Sequence, residues 1–241
     1  MNIELDSSVY LSVVIPVYNE SSRIASTLDQ ISAYLESQDY LWEVVVSNDG
    51  STDETAPIVQ RYINLNSKIR LVDNIHKGKG WAVSQGMLNA HGYYRMLCDA
   101  DLSMPFEQIE RLLNVMGDYD LAIASRELAK SRRFNEPKHR HFMGRIFNAL
   151  TRLMVLPGIK DSQCGFKMYN AKVVNSLFNC TITNGFAFDV EVLIKAKKLE
   201  LRIIEVGIDW FYFRGSKVRV IKDTVEMFRD LIKIRKYYIH H

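Results

Sequence analysis

The stretch Leu11-Ser-Val-Val-Ile-Pro-Val17, running directly into Tyr18-Asn-Glu20 and then a helical pattern, decides the fold. It is apolar without alternation, as expected of a strand buried on both faces. The same pattern returns in Leu41-Trp-Glu-Val-Val-Val-Ser47, Lys68-Ile-Arg-Leu-Val72, Tyr93-Tyr-Arg-Met-Leu-Cys98 and Asp120-Leu-Ala-Ile-Ala-Ser125. Helical patterns near 20–37, 52–65, 79–90 and 105–116 separate these runs. Strand and helix in alternation predict an α/β domain with a Rossmann-like, doubly wound, mostly parallel central sheet.

Composition agrees with one domain. The chain has 241 residues, 47% apolar and 24% charged, with a net charge of +3, which excludes a wholly disordered chain and is too small to imply nucleic acid. Cys98, Cys164 and Cys180 show no metal-ligand spacing and read as buried apolar side chains in a reducing compartment. The N-terminal residues lack a signal-peptide pattern, and no uncharged apolar run reaches the roughly 18 residues of a membrane span.

In such sheets ligands bind beyond the carboxyl ends of the strands, where the polar residues gather: Tyr18-Asn-Glu20, Asn48-Asp-Gly-Ser-Thr-Asp53, Asp99-Ala-Asp101 and Ser125-Arg126. In the second of these, Gly50 permits a tight turn, Ser51 or Thr52 can cap the next helix, and Asp53 and Glu54 suit its positive end. Capping leaves Asp49 unexplained, and a carboxylate there can accept a hydrogen bond from a base or ribose. Asp99 and Asp101 alternate on an extended segment before Pro105. Two hard carboxylates so placed suit Mg²⁺ or Mn²⁺ bridging a diphosphate. His76-Lys-Gly-Lys-Gly80 reads either as an anion-binding loop or as a basic turn, and it lacks P-loop spacing.

The second half is more basic. Between Arg126 and Arg152 lie Lys130, Arg132, Arg133, Lys138, Arg140 and Arg145, opposed only by Glu127 and Glu136. Residues 141–156 and 220–239 read as amphipathic helices, the latter with Val225, Phe228, Leu231, Ile232 and Ile234 among basic residues. Such helices suit either a membrane surface or packing on the domain. His240 and His241 have no assigned role.

Taken in order, Val14-Ile-Pro-Val-Tyr-Asn-Glu20, Asn48 to Asp53, Lys77-Gly-Lys-Gly80, Asp99-Ala-Asp101, Ala124-Ser-Arg126, Asp161-Ser-Gln-Cys-Gly-Phe-Lys167, Phe188-Asp-Val-Glu191 and Gly215-Ser-Lys217 span nearly the whole chain. This series resembles the inverting, GT-A-fold glycosyltransferases of family 2 that load sugars onto polyprenyl phosphates, the dolichyl-phosphate β-glucosyltransferases and their bacterial relatives. Asp161 to Lys167 is more similar to the glucosyl branch than to the mannosyl one.

The resemblance implies a nucleotide-sugar donor, UDP-glucose first and GDP-mannose or UDP-N-acetylglucosamine as alternatives. It implies an acceptor polyprenyl phosphate, with a hydroxyl acceptor as the alternative, and peripheral attachment to the cytoplasmic face of a membrane. Pro16, Tyr18, Glu20, Asp49, Lys79, Asp99 and Ala100 would frame the nucleotide, and Asp99 and Asp101 would hold the metal. Arg126 and Asp189 join these two as catalytic candidates. Arg140, Arg145 and Lys217 would meet the acceptor or donor phosphates, and Asp161 and Gln163 the sugar. The nucleotide half would cover about 10–125 and the acceptor half 126–241 of a single domain. Two departures stand out: Asn48 where an Asp is common, and Phe188 where an acidic residue often precedes Asp189.

Overall fold

The computed structural model describes residues 9–212 and 220–239, excluding the side chains of 138–143, 146, 147, 220–224 and 239. Its elements are β1 (Leu11–Val17), α1 (Ile24–Glu36), β2 (Trp42–Asn48), α2 (Thr55–Leu65), β3 (Ile69–Asp73), α3 (Lys79–Asn89), β4 (Tyr94–Cys98), α4 (Ile109–Leu113) and β5 (Leu121–Ser125). These are followed by β6 (Arg132–Phe134), α5 (Lys138–Met154), β7 (Phe166–Asn170), α6 (Ala171–Phe178), α7 (Phe188–Lys198), β8 (Ile203–Gly207), β9 (Asp209–Phe211) and α8 (Val220–Ile239). The helix expected over 105–116 is shorter: a 3₁₀ turn, Phe106–Gln108, leads into α4.

A seven-stranded sheet runs β3-β2-β1-β4-β7-β5-β8, and β6 pairs with β9 in a separate parallel ribbon. Every residue of β1 is buried. Leu11, Val13, Ile15 and Val17 join one core with α1, α2 and α4, while Val14 joins a second core with α3, α6 and α7. A strand so placed has no polar face, which is why its sequence shows no alternation.

Pro16 fits this central strand because of register. The Asp49 N–H donates to the Val17 carbonyl, so the odd-numbered residues of β1 face β2 and Pro16 faces β4. Pairing with β4 ends at Val14 opposite Leu97, so the missing amide of Pro16 breaks no ladder bond.

The sheet departs from a plain parallel array at β7, which inserts between β4 and β5 and runs antiparallel to both. The two halves of the chain therefore share one sheet. The strand pattern missed β7 because Lys167 interrupts Phe166-Lys-Met-Tyr-Asn170, yet Lys167 is completely buried. Its ammonium is held by Asp189 at 2.5 Å and by the Cys164 carbonyl at 2.6 Å, as a buried charge requires.

Two further expectations change. Cys98 and Cys164 are buried, but Cys180 is exposed. On α8, Leu231, Ile234 and Tyr238 face the core, whereas Val225, Phe228 and Ile232 are exposed. The apolar positions of α8 thus divide between packing and surface.

Candidate active site

The loops after β1 and β2 are stitched together by motif side chains. Asn19 N–H donates to Ser51 Oγ at 2.9 Å, and Thr52 N–H to Asn19 Oδ1 at 2.7 Å. Glu20 N–H donates to Thr55 Oγ1 at 2.8 Å, and Ser21 N–H to Asp53 Oδ2 at 3.1 Å. Asp53, rather than Ser51 or Thr52, takes the first amide of α2, since Thr55 N–H donates to its Oδ1 at 3.0 Å. Burial opposes its charge, but the bonds from Ser21 and Thr55 outweigh it and lower its pKa to about 2. Glu20 forms an ion pair with Arg23 at 2.9 Å.

Asn48 is the right residue for its place. Its Nδ2 donates to Asp73 Oδ1 at 2.6 Å, and its Oδ1 accepts from Ser51 N–H and Oγ–H at 3.1 and 2.5 Å. An aspartate here would lack the donor and would face a second carboxylate.

Asp49 is only 3% exposed. Its Oδ1 accepts from the Lys77 and Gly78 amides at 2.9 and 3.1 Å, and its Oδ2 from Gly78 at 2.9 Å, with His76 Nδ1 2.8 Å away. The 76–80 loop does bind an anion, but that anion is the protein's own carboxylate. These contacts hold the loop after β3 in place and leave the Asp49 side chain 4% exposed. The His76 ring stacks on Tyr18, centroids 4.2 Å apart and 17° from parallel, forming an exposed aromatic platform beside the loop. Sequence reasoning placed His76 in the loop but gave its ring no stacking role.

From the same loop Lys79 Nζ reaches Asp99 Oδ1 at 2.7 Å. Burial works against its charge, but the carboxylates of Asp99 and then Asp189 prevail and raise its pKa. Asp99 stands at the end of β4, its amide bonded to the Gly165 carbonyl at 3.2 Å. A Cβ at position 165 would lie 1.9 Å from Asp99 Oδ2, so only glycine leaves room for this carboxylate. Asp101 is partly exposed, and its Oδ1 accepts from Ser103 N–H at 3.0 Å. Leu102 adopts φ 45° immediately after it, left-handed backbone that costs an apolar residue about 1 kcal/mol.

Ala100 packs in the core and its carbonyl accepts from Thr27 Oγ1 at 2.6 Å. Pro16 is likewise buried within β1. Both side chains thus belong to the packed interior.

At the end of β5, Arg126 and Asp161 form a two-pronged pair: Nε to Oδ2 at 2.7 Å and Nη2 to Oδ1 at 2.9 Å. Asp161 is fully buried. The expectation that it faces the sugar gives way, because its oxygens are committed to Arg126. Burial would raise its pKa, but the adjacent guanidinium holds it well below the usual carboxylate range. Gln163, partly exposed, keeps a buried Nε2 that has no hydrogen-bond partner among the described residues, and so stays a candidate for a ligand oxygen.

Asp189 is 4% exposed and bound to Lys167. Burial raises its pKa, against the opposing pull of Lys167 and Lys79. Glu191 is fully buried and accepts from Ile182 N–H, Thr183 N–H, Thr183 Oγ1 and Tyr238 Oη. Its four acceptor positions are filled, which removes it as a base for a hydroxyl acceptor.

The basic segment is also less free than its sequence implies. Arg133 pairs with both Glu127 and Glu136, and Arg132 with Asp209. Arg145 is exposed on α5. Lys217 and the side chain of Arg140 lie outside the described residues.

Residues 12–178 match the family described as Glycosyl transferase family 2. A dolichyl-phosphate β-glucosyltransferase of Saccharomyces cerevisiae is 34% identical, the match covering 97% of this chain and 76% of the relative. One from Dictyostelium discoideum is 32% identical, covering 96% and 76%. Among solved structures, a glucosyl-3-phosphoglycerate synthase from Mycobacterium tuberculosis, in complex with Mn²⁺, uridine diphosphate and glucosyl-3-phosphoglycerate, superposes with a TM-score of 0.67. It is 20% identical, the match covering 95% of this chain and 79% of that one. This last likeness speaks to the GT-A fold alone.

Proposed function

The chain belongs to glycosyl transferase family 2, and from that premise we propose that it transfers glucose from UDP-glucose to a polyprenyl phosphate, such as dolichyl phosphate, with inversion to a β-linked product. The names of relatives 32–34% identical over nearly the whole chain support this. The observation that carries the acceptor is the state of the carboxylates behind the cleft: Asp189 is tied to Lys167 and Glu191 to its loop. A hydroxyl acceptor must lose a proton to a base during attack. A phosphate monoester, with a second pKa near about 6, is already a dianion at neutral pH and needs none. What it needs is positive charge to bring two anions together, and Lys79 and Arg126 supply it.

Asp99 and Asp101 fit a divalent cation by donor chemistry: two hard carboxylates on the turn that follows β4, not on the extended segment their spacing predicted, closed by the Leu102 N–H to the Asp99 carbonyl at 3.3 Å, with Asp99 seated by the bare α-carbon of Gly165. Among the described residues no group of three or more His, Cys, Asp and Glu side chains could hold an ion alone, so diphosphate oxygens and water would complete an Mg²⁺ or Mn²⁺ shell. When bound, such an ion neutralises charge on the leaving diphosphate. The Tyr18–His76 platform would take the base, Arg126 the acceptor phosphate and Gln163 the sugar. Residues up to Ser125 would serve the nucleotide and the later ones the acceptor.

We place the enzyme peripherally on the cytoplasmic face of a membrane. Exposed Val225, Phe228, Ile232 and Tyr237 beside exposed Arg229, Arg235 and Lys236 on α8 support this, and basic residues near an anionic bilayer contribute roughly 1 kcal/mol each. No helix among the described residues is long and apolar enough to cross a membrane.

The test is transfer of labelled glucose from UDP-glucose, with Mn²⁺, into the organic phase with polyprenyl phosphate. Label left in the aqueous phase, or transfer from GDP-mannose instead, would overturn the assignment.

A further inference from the structure

We propose that Lys79 is the resident counter-ion of Asp99, competing with a divalent cation for the same carboxylate oxygen until a donor diphosphate draws the ammonium away. This rests on the reading of Asp99 as a metal ligand in a nucleotide-sugar site.

The two oxygens of Asp99 have different neighbours. Oδ2 lies against the Gly165 α-carbon, where even a methyl group would come within 1.9 Å. Oδ1 is the oxygen that Lys79 holds, at 2.7 Å. Both side chains remain partly open to solvent, 25% and 27% exposed, so the contact can exchange.

The backbone of Lys79 is fixed on both sides. The Gly78 amide is bound to Asp49, and the Gly80 amide donates to the Asn184 carbonyl at 2.7 Å. Exchange therefore takes place by rotation of the flexible lysine side chain about a stationary helix start.

Charge favours the same cycle. Asp99, Asp101 and Asp189 with Lys79 and Lys167 carry a formal charge of −1. A divalent cation added beside a retained Lys79 makes the cluster positive, which disfavours the ion alone and favours the ion arriving with an anionic diphosphate. A lysine displaced from Asp99 has three N–H donors for phosphate oxygens.

The experiment compares wild-type protein with Lys79→Met, which keeps the stem and removes the charge. Mn²⁺ binding is read from the free-ion paramagnetic resonance signal, first without nucleotide and then with UDP. Lys79→Met is expected to bind Mn²⁺ alone at least about tenfold tighter, since an opposing charge within hydrogen-bond reach is gone, while UDP binding in the presence of Mn²⁺ weakens about tenfold or more. Asp99→Asn in the Lys79→Met background should abolish the gain in Mn²⁺ affinity.

Equal or weaker Mn²⁺ binding by a Lys79→Met protein that melts as wild type does overturns the proposal. So does a gain in affinity that survives Asp99→Asn. No acceptor is present in these measurements. A failure of glucose transfer in the wild-type protein therefore bears on the function, and a failure of the opposed shifts bears on Lys79.

Discussion

Arg126 and Asp161 lie side by side, joined by parallel bonds of 2.7 and 2.9 Å, and the backbone amide of Arg126 adds a third bond to Asp161 Oδ2 at 2.9 Å. Asp161 thereby fixes both the main chain and the side chain of the arginine at the end of β5. Any effect it has on the phosphate proposed to meet Arg126 would be indirect, through the orientation of the guanidinium.

Asp161→Asn should destabilise the fold by about 2–4 kcal/mol, because a buried, paired charge is lost and the guanidinium is left without its fork. Thermal unfolding measures the stability, and initial rates should show kcat/KM for the acceptor falling further than that for the donor. Unchanged acceptor kinetics in a folded variant would reduce Asp161 to a packing role.

Asn48→Asp should cost about 1–3 kcal/mol at neutral pH, because the bond to Asp73 at 2.6 Å becomes a contact between two carboxylates. The penalty should shrink as pH falls toward about 4, because one carboxyl of a close pair takes up a proton more readily than an isolated one. Urea unfolding at two pH values checks it, and a variant as stable as wild type at pH 7 contradicts it.

Asp53 contributes to the acid limb of stability, as does Asp161. Its folded pKa, about 2, lies below the unfolded value of about 3.9, so its contribution is complete above the unfolded value and is lost as pH falls through the folded one. The Tm difference between wild type and Asp53→Asn should be constant from neutral pH to about 5 and narrow between about 4 and 2. A difference that grows on acidification would contradict the linkage.

Tyr238→Phe removes one of the donors to Glu191, a bond of 2.8 Å. Glu191 also holds the amides of Ile182 and Thr183, next to the Asn184 carbonyl that fixes the start of α3. The loss should be about 1 kcal/mol, or roughly 2–4 °C in Tm for a domain of this size. Donor KM should rise while kcat is held. A fall in kcat at constant KM would point to a direct role for the α7 carboxylates.

The first five strands and the helices between them were legible because each is a continuous apolar run or a helical period, and local chemistry is enough to mark both. β7 was not, because Lys167 makes it read as polar until Asp189, distant in sequence, is seen to neutralise it. The candidate site divides in the same way. Asp99, Asp101 and Lys79 announce themselves by residue type and by their place after a strand.

Whether a given carboxylate faces the cleft or serves the scaffold is another matter. Asp49, Asp161 and Glu191 look as exposed in sequence as Asp101 does, yet each is filled by partners from elsewhere in the fold. The sequence by itself determined the layered α/β architecture and the strand ends at which chemistry would gather, since burial pattern and turn chemistry are properties of short segments. Only the tertiary structure decided which ionic side chains remain available to a ligand. Availability depends on which donors and acceptors the folded chain brings within about 3 Å, and those neighbours are set by packing rather than by proximity along the chain.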